Sequence, residues 1–583
     1  MKHSLPLPIE SMKPVSTCLL MALLGVVAAA QAASTAVKPA ARAVIEGIVT
    51  KDPGGEPVKK ALIEVIAENQ AEAGDYTAVT GADGRFHIEG ILPGKYRLFA
   101  ERTGFLEVEK HHTRSEGRVL TLTAGQELKD LQIRLQAAAV VQGRVVDEDG
   151  DPMPNAQIAV LRQTFASGRN RWEQAGAGST NDLGEYRIAS LPAGNYYVSV
   201  NPPPDFKSLI ETAGSMKAEA GTSSATDKPA ASYQTTYYPG TPDRSQATPI
   251  QLHAGDDFPV NFSLTPSPSL SIRGSVVGLP PRATAVVTLQ SRDINLAMSG
   301  TEVQKDGSFV IRDVSPGSYT ILATVENASA PMMARQTLQV ANSVDGLRLA
   351  PQTGAWIHGR LRLENKSMES KGKADPGQMI LLLRSVDKDE IVSGATLLDG
   401  GGVFLGDGVG TVSADGSFEW KSVPPGTYFV ELAGQGGGNS DWYVKSVLAG
   451  GRDVNESGIN VNGGSVVLDV VASANGSVVD GVAVNAKGEP VSNAVIVAAP
   501  EARLRGREDR YCKTASDQSG RFTLRGIAPG EYTLFAWESL DGEAYLNPDF
   551  LKSYEGQGSA LRVGEGERKS VQVQGIPDAE EQQ

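Results

Sequence analysis

Asp83-Gly84-Arg85-Phe86, followed by Pro93-Gly94-Lys95-Tyr96, is one line of a five-fold refrain. The others run Leu183-Gly184-Glu185-Tyr186 to Gly194-Asn195-Tyr196, Asp306-Gly307-Ser308-Phe309 to Pro316-Gly317-Ser318-Tyr319, Asp415-Gly416-Ser417-Phe418 to Pro425-Gly426-Thr427-Tyr428, and Ser519-Gly520-Arg521-Phe522 to Pro529-Gly530-Glu531-Tyr532. In each copy the tyrosine stands ten residues after the first aromatic. Asp-Gly has the chemistry of a tight turn, and Pro-Gly reverses the chain again. The aromatic after the first turn enters a core, and the tyrosine opens the next strand. A period of roughly a hundred residues is too long for a solenoid unit and suits one small domain per copy.

Working outward, each copy opens on alternation, as in Val44-Ile45-Glu46-Gly47-Ile48-Val49 or Val140-Val141-Gln142-Gly143-Arg144-Val145-Val146. Such period-two patterning with β-branched residues reads as a strand with one buried face. Turns follow at Asp52-Pro53-Gly54-Gly55 and Asp149-Gly150-Asp151-Pro152, then second strands such as Ala61-Leu62-Ile63-Glu64-Val65. A last strand closes each unit, for example Leu131-Gln132-Ile133-Arg134-Leu135. About seven short strands at this turn spacing predict an all-β chain, a tandem array of five small antiparallel β-sandwiches. No segment shows a sustained helical period. The expected divisions are a leader over 1–32, sandwiches over 33–137, 138–267, 268–352, 353–473 and 474–576, and an acidic tail over 577–583. Residues 202–236, rich in Pro, Ala, Ser and Thr, read as a flexible excursion from the second sandwich. The glycine-rich stretch 398–410 reads as a loop in a long hairpin of the fourth. It lacks the Lys-Ser/Thr ending and following helix of a phosphate loop.

The order of these elements resembles the carboxypeptidase regulatory-like domain: Gly-x-Val, a Gly-x-Pro turn, Ala-x-Val, Asp-x-x-Gly-x-Phe, then Leu-x-Pro-Gly-x-Tyr. The resemblance is close in the first, second and fifth copies and looser in the third and fourth. It implies a transthyretin-like (prealbumin-like) sandwich related to starch-binding-like domains. It also implies an accessory domain of zinc peptidases rather than their catalytic domain.

The bulk properties narrow the partners. A net charge of −14 speaks against nucleic acid and against an anionic membrane surface, since both call for clustered Lys and Arg. Lys2 and Lys13 precede an apolar run from Cys18 to Ala30, and Ala30-Gln31-Ala32 fits the small-x-small rule of signal peptidase. Export with cleavage after Ala32 is therefore expected, to the periplasm, the cell surface or the medium. No other segment has the roughly eighteen apolar residues of a membrane helix. Past that cleavage point Cys512 is the one remaining cysteine, so each sandwich must rely on its own core.

Chemistry is sparse. The histidines are His3, His87, His111, His112, His253 and His358. They form no His-Glu-x-x-His, and no Gly-x-Ser-x-Gly elbow occurs, so neither a metal, a cofactor nor a catalytic residue is assigned. Asp147-Glu148-Asp149-Gly150-Asp151 reads as an acidic turn rather than a calcium loop, because the alternating ligand spacing and closing Glu are missing. Arg503, Arg505, Arg507, Arg510 and Lys513 alternate with Glu501, Glu508 and Asp509 and read as a solvated connecting loop. The repeat aromatics Phe86, Tyr186, Phe309, Phe418 and Phe522 are expected in cores. Trp172, Tyr237, Tyr238, Trp442 and Tyr443 are less regular and are the candidates for ligand contact. Strand alternation through Trp442-Tyr443-Val444 leaves at most one of that pair exposed.

These readings converge on a non-enzymatic, exported binding or adhesion protein of the cell envelope, with polysaccharide or peptide as partner. A spacer, or an assembly partner of an outer-membrane complex, is the alternative. A hydrolase with an unrecognised site comes third. The sequence leaves the oligomeric state open.

Overall fold

A computed structural model of the chain describes residues 41–69, 74–107, 117–202, 231–268, 270–292, 298–326, 332–364, 376–386, 396–398, 402–404, 408–433 and 440–577. The expected leader with Ala32 and the pair His111-His112 lie outside the described residues.

In the first unit the opening strand Ala43–Asp52 pairs antiparallel with Arg85–Ile91 and parallel with Glu127–Ala137. A second sheet orders Tyr76–Val79, Leu62–Ala67, Gly94–Glu101 and Arg118–Leu122. The plan recurs around Ala139–Val146, Leu270–Val276, Ala355–Glu364 and Ser477–Val484. Each is flanked by one antiparallel and one parallel neighbour. The sandwiches are thus antiparallel but for the pairing of the opening strand with the returning one, and in the fifth unit the end of Gly530–Trp537 also runs parallel to Arg568–Ile576. The chain's return crosses from the second sheet and enters beside the opening strand in the same direction. Alternate residues of both sheets fill the space between them, giving each unit a buried cluster such as Ile45, Val49, Ile63, Val65, Leu98 and Ile133.

The refrain is explained by packing. Phe86, Tyr186, Phe309, Phe418 and Phe522 are all buried. In the first, third, fourth and fifth units the ring lies over the glycine of the opening strand, and in the second Tyr186 pairs across from Gly143. A Cβ on Gly47 would meet the Phe86 ring at 2.6 Å and the Leu131 carbonyl oxygen at 2.4 Å, and one on Gly359 would meet the Leu468 oxygen at 1.9 Å. Only glycine fits such an approach. The Asp-Gly glycines turn the chain with positive φ, +74° at Gly84 and +84° at Gly307.

The tyrosines act identically in all five units. Tyr96, Tyr196, Tyr319, Tyr428 and Tyr532 each donate a hydroxyl hydrogen bond to the carbonyl four residues upstream, at 2.6, 2.9, 2.9, 3.0 and 2.8 Å. The ring supplies apolar burial while the hydroxyl satisfies a carbonyl at the corner, so the Pro-Gly bend is locked onto the core.

Two expectations need adjustment. Of the excursion expected over 202–236, residues 203–230 lie outside the described residues, and within the rest Ala231–Ser232 pairs with Ser267–Pro268, and Thr236–Tyr237 with Gly194–Asn201. The fifth unit carries a helix, Pro548–Tyr554, which Asn547 caps by accepting from the Asp549 and Phe550 amides. At seven residues it is too short to leave a period in the sequence. Among the described residues no helix is long and apolar enough to cross a membrane.

Candidate functional site

The fifth unit departs from its relatives at the strand Val495–Pro500, where all six residues are buried. In a half-buried strand every second side chain faces water. Here Ile496 and Ala498 face the sandwich core, while Val495, Val497 and Ala499 face a second apolar cluster with Tyr511, Phe535, Trp537, Tyr545, Leu546 and Leu551. The capped helix and the turn before it roof this cluster. Phe165 of the second unit packs on it, its ring 6.1 Å from Phe550.

Polar contacts tie the fifth unit to three others. Thr164 of the second unit donates to Asp541 at 3.0 Å, and the Ser167 amide donates to Glu543 at 2.6 Å. In the first unit, the Thr121 amide donates to the Gln518 side-chain oxygen at 3.0 Å. The Gln518 side-chain amide donates back to the Thr121 carbonyl at 2.7 Å. One side chain thereby pairs with an edge residue as a neighbouring strand would.

The joint with the fourth unit is ionic and buried. Arg507, only 3% exposed, makes a two-pronged pair with Asp509, with Nε–Oδ1 and Nη2–Oδ2 both at 2.7 Å. It also donates to the Asn455 carbonyl and lies 4.0 Å above the Phe429 ring of the fourth unit. Arg384 of the fourth unit bridges Glu431 at 2.8 Å and Glu508 of the fifth at 3.4 Å. Burial, and next the Asp509 charge, push the Glu431 carboxyl up to about 7 against the pull of Arg384 and Arg507. The arginine-rich stretch expected as a solvated loop is therefore an interface. Arg505 and Arg507 are buried with acids beside them, Arg505 pairing with Glu555 at 2.7 Å, while Arg503 stays exposed and reaches Glu456 of the fourth unit.

Where the first, fourth and fifth units meet they enclose a cleft of about 940 Å³. Lys95, Arg97 and Glu68 line it from the first unit, Arg384 and Glu431 from the fourth, and Asp480, Lys513, Arg521 and Arg525 from the fifth. Tyr511 and Tyr545 are its aromatic walls. Some of the charges are matched within the walls, Arg97 with Glu68 and Arg384 with Glu431, both at 2.8 Å, and Asp480 pairs with Arg568 outside them at 2.8 Å. A cleft of both signs suits a ligand carrying hydrogen-bonding groups or both charges, not a polyanion. The Cys512 thiol is buried in the fifth core and donates to the Arg525 carbonyl at 3.3 Å. Among the described residues no three His, Cys, Asp or Glu side chains are grouped to hold a metal ion.

Residues 44–136 and 140–208 match the family model of the carboxypeptidase regulatory-like domain. Two consecutive segments of the chain thus match this domain in tandem. No curated protein matches in sequence. Solved structures that align include the Bacillus anthracis TIE protein, 13% identical over 54% of this chain and 51% of that one, with a TM-score of 0.15. This chain therefore spans about half the length of that relative. A Streptococcal ancillary pilin aligns at 11% identity over 53% of this chain and 99% of its own, TM-score 0.17. The shaft pilin SpaA from Lactobacillus rhamnosus GG aligns at 11% over 39% and 98%, TM-score 0.19.

The candidate aromatics are dispersed between the second and fourth units, and none lines the cleft. Trp172 packs edge-on against Tyr197 at 4.3 Å, with the Arg244 guanidinium 5.6 Å over its ring. Tyr237 is buried in the second unit, and Tyr238 packs against that unit's core. Tyr443 is 2% exposed, which leaves its ring no free face, and Trp442 is half-buried against the fourth core. Asp147 caps an exposed acidic turn by accepting from the Asp149 and Asp151 amides. Sequence reasoning missed Trp356, which is 45% exposed in the fourth unit. Its signal was available: Trp356 stands three residues before Gly359, where the other units carry Val44, Val140, Ser271 and Val478 before their own glycines.

Proposed function

We propose that this chain is a non-enzymatic exported binding protein of the cell envelope, in which carboxypeptidase regulatory-like sandwiches are folded back on one another to present a polysaccharide or peptide site. The observation that carries this reading is the docking of the fifth unit on the first, second and fourth, across sequence separations as long as 397 residues. A spacer works by holding its ends apart, and an array whose last unit returns to its first does not do so. The cleft at the convergence is walled by three units, so it exists only in the folded-back form. Its mixed charges match the amide, ammonium and carboxylate groups of a peptide, or the hydroxyls of a glycan.

The test is small-angle scattering of the exported protein together with a screen against glycans, peptidoglycan and peptides. The expected result is a compact particle that retains one of these classes. An extended string of five beads that retains none would replace the binding reading with that of a spacer.

A further inference from the structure

The outer face of the fourth unit's first sheet differs from the same face of the other four. Its opening strand, Ala355–Glu364, turns Trp356 and His358 away from the core while Ala355 and Ile357 are buried. The indole and imidazole stack in parallel, with centroids 3.8 Å apart and planes 15° apart. The Trp356 Nε1–H donates to Glu419 at 3.0 Å, and the His358 Nδ1 lies 3.5 Å from the Ser465 hydroxyl. One face of the indole is covered by the imidazole and its edge is pinned by the carboxylate. The opposite face of a ring 45% exposed is what solvent meets.

At the position of His358 the other units carry Glu46, Gln142, Arg273 and Asp480, and at the position of Trp356 they carry no aromatic. Strand pairing, which the aromatic pair does not serve elsewhere in the array, therefore fails to account for it. An indole left 45% exposed forgoes part of the burial a core would give it, and its hydrogen bond to Glu419 fixes the edge of the ring in that place.

We infer that the Trp356–His358 stack is a platform for the ring of a neutral sugar. The carbon-bound hydrogens of a pyranose face complement the π face of an indole. The side chains around the stack are hydrogen-bonding ones: Glu419, which Lys421 bridges at 2.8 Å, Ser465, and Asp469 farther along the same strand. Lys421 and the Trp356 indole hold the Glu419 carboxyl below the usual range, so it stays an acceptor for hydroxyl groups. The cations Lys421 and Arg360 near the stack are paired with Glu419 and Asp415, which gives an anionic polymer or a lipid surface no advantage. Val467, 59% exposed beside His358, extends the apolar footing by one side chain, enough for a sugar ring but small for a protein interface. This site rests on the binding reading above but not on the cleft.

The test is affinity electrophoresis of the full exported protein through gels containing neutral polysaccharides (an α-1,4-glucan, a β-1,4-glucan, a galactomannan), beside an anionic polysaccharide and a peptide array. Retardation by a neutral polysaccharide is expected. Trp356→Ala should weaken it roughly tenfold, equivalent to about 1.4 kcal/mol, and Trp356→Phe, which keeps a flat ring, should retain most of it. Both substitutions face outward, and circular dichroism checks that they fold. Equal retardation of the parent and Trp356→Ala overturns the platform and leaves the binding reading standing. Retention by peptides or the anionic polymer alone does the same. Retention by none of the probes removes both.

Discussion

The third and fifth units follow one strand plan and sit in the array in opposite ways. In the third, the strand Gly317–Glu326 keeps its outward residues Leu322 and Thr324 at least partly in solvent, and a single cluster around Phe309, Ile311 and Ile321 holds the unit together. In the fifth, the corresponding sheet is buried on both faces, and its second face is shared with the second unit. The third contributes no described residue to the cleft, whereas the fifth supplies most of the lining. A sandwich becomes a hub when the outward side of its strands turns apolar, because a two-sided sheet must find a second layer.

The sharpest way to break this comparison is to remove a core ring from each. Phe309→Ala deletes the largest fully buried side chain of the third unit, at a cost of about 3–5 kcal/mol. The third unit should unfold by itself, seen in calorimetry as one early transition with the rest unmoved. Trp537→Ala in the fifth unit carries a similar cost, but its ring stacks on Phe535 at 4.9 Å and meets Tyr554 at 5.8 Å under the roof that Phe165 joins. Its loss should loosen the second and fourth units too, with faster proteolysis in both. A single shared transition in the Phe309→Ala protein would show that the third unit is no more independent than the fifth.

The second experiment cuts the hub from one neighbour. Arg507→Ala takes the two-pronged partner from buried Asp509 and leaves it the weaker contact with Arg510 at 3.5 Å, a loss of up to about 3 kcal/mol, the low end for a buried pair broken on one side. The fourth and fifth units should separate, raising the radius of gyration while each keeps its strand signature in circular dichroism. Arg292→Ala in the third unit should change the scattering little. If the two variants scatter alike, Arg507 is not holding the joint.

How much of this was legible in the sequence follows the same division. Whatever is local and repeated could be read: the Asp-Gly and Pro-Gly turns, the buried aromatic, and the tyrosine ten residues on are short-range consequences of one packing solution, and five copies make them unmistakable. The parallel pairing of first and last strands was not readable, since no local residue choice encodes which edge a returning strand meets. The ionic joint was misread for a physical reason. Arg503 to Lys513 alternate with acids, and such alternation is equally the pattern of a solvated loop and of a surface that meets complementary charge. Only the positions of Glu431 and Asn455, more than fifty residues away in the chain, decide between them. Trp356 was readable in principle by aligning the five opening strands, because alternation fixes which of their residues face out.

A third measurement sharpens the ionic joint through pH. The Glu431 carboxyl is raised in the folded chain from an ordinary 4.5 to about 7, first by burial and then by Asp509. The folded state thus binds this proton more tightly than the unfolded one. The stabilisation is fully present below pH 4.5 and is lost as pH rises through 7. The melting temperature of the fourth and fifth units should fall across that window, and that of the third should change less. Glu431→Gln, which mimics the protonated form, should flatten the slope. An unchanged slope in that variant would assign the pH dependence to other groups.

The smallest expected effect probes the contact between the fifth and first units. Gln518 makes two hydrogen bonds to the backbone of Thr121, one donated and one accepted. It reaches an edge strand, Arg118–Leu122, whose outer backbone groups are otherwise available to water. Exchanging such bonds for water costs about 0.5–1.5 kcal/mol each, so Gln518→Ala should leave every unit folded and the melting profile within a degree or two. Amide exchange at Thr121 should quicken several-fold, because its N–H loses its acceptor, while exchange at Thr80, which donates to the Ala61 carbonyl inside the first unit, should hold steady. Gln518→Glu keeps the acceptor and loses the donor, so it should protect the Thr121 amide and still weaken the contact. Equal exchange at Thr121 in parent and Gln518→Ala would show that the first and fifth units do not touch there in solution. The folded-back array would then rest on the second and fourth units alone.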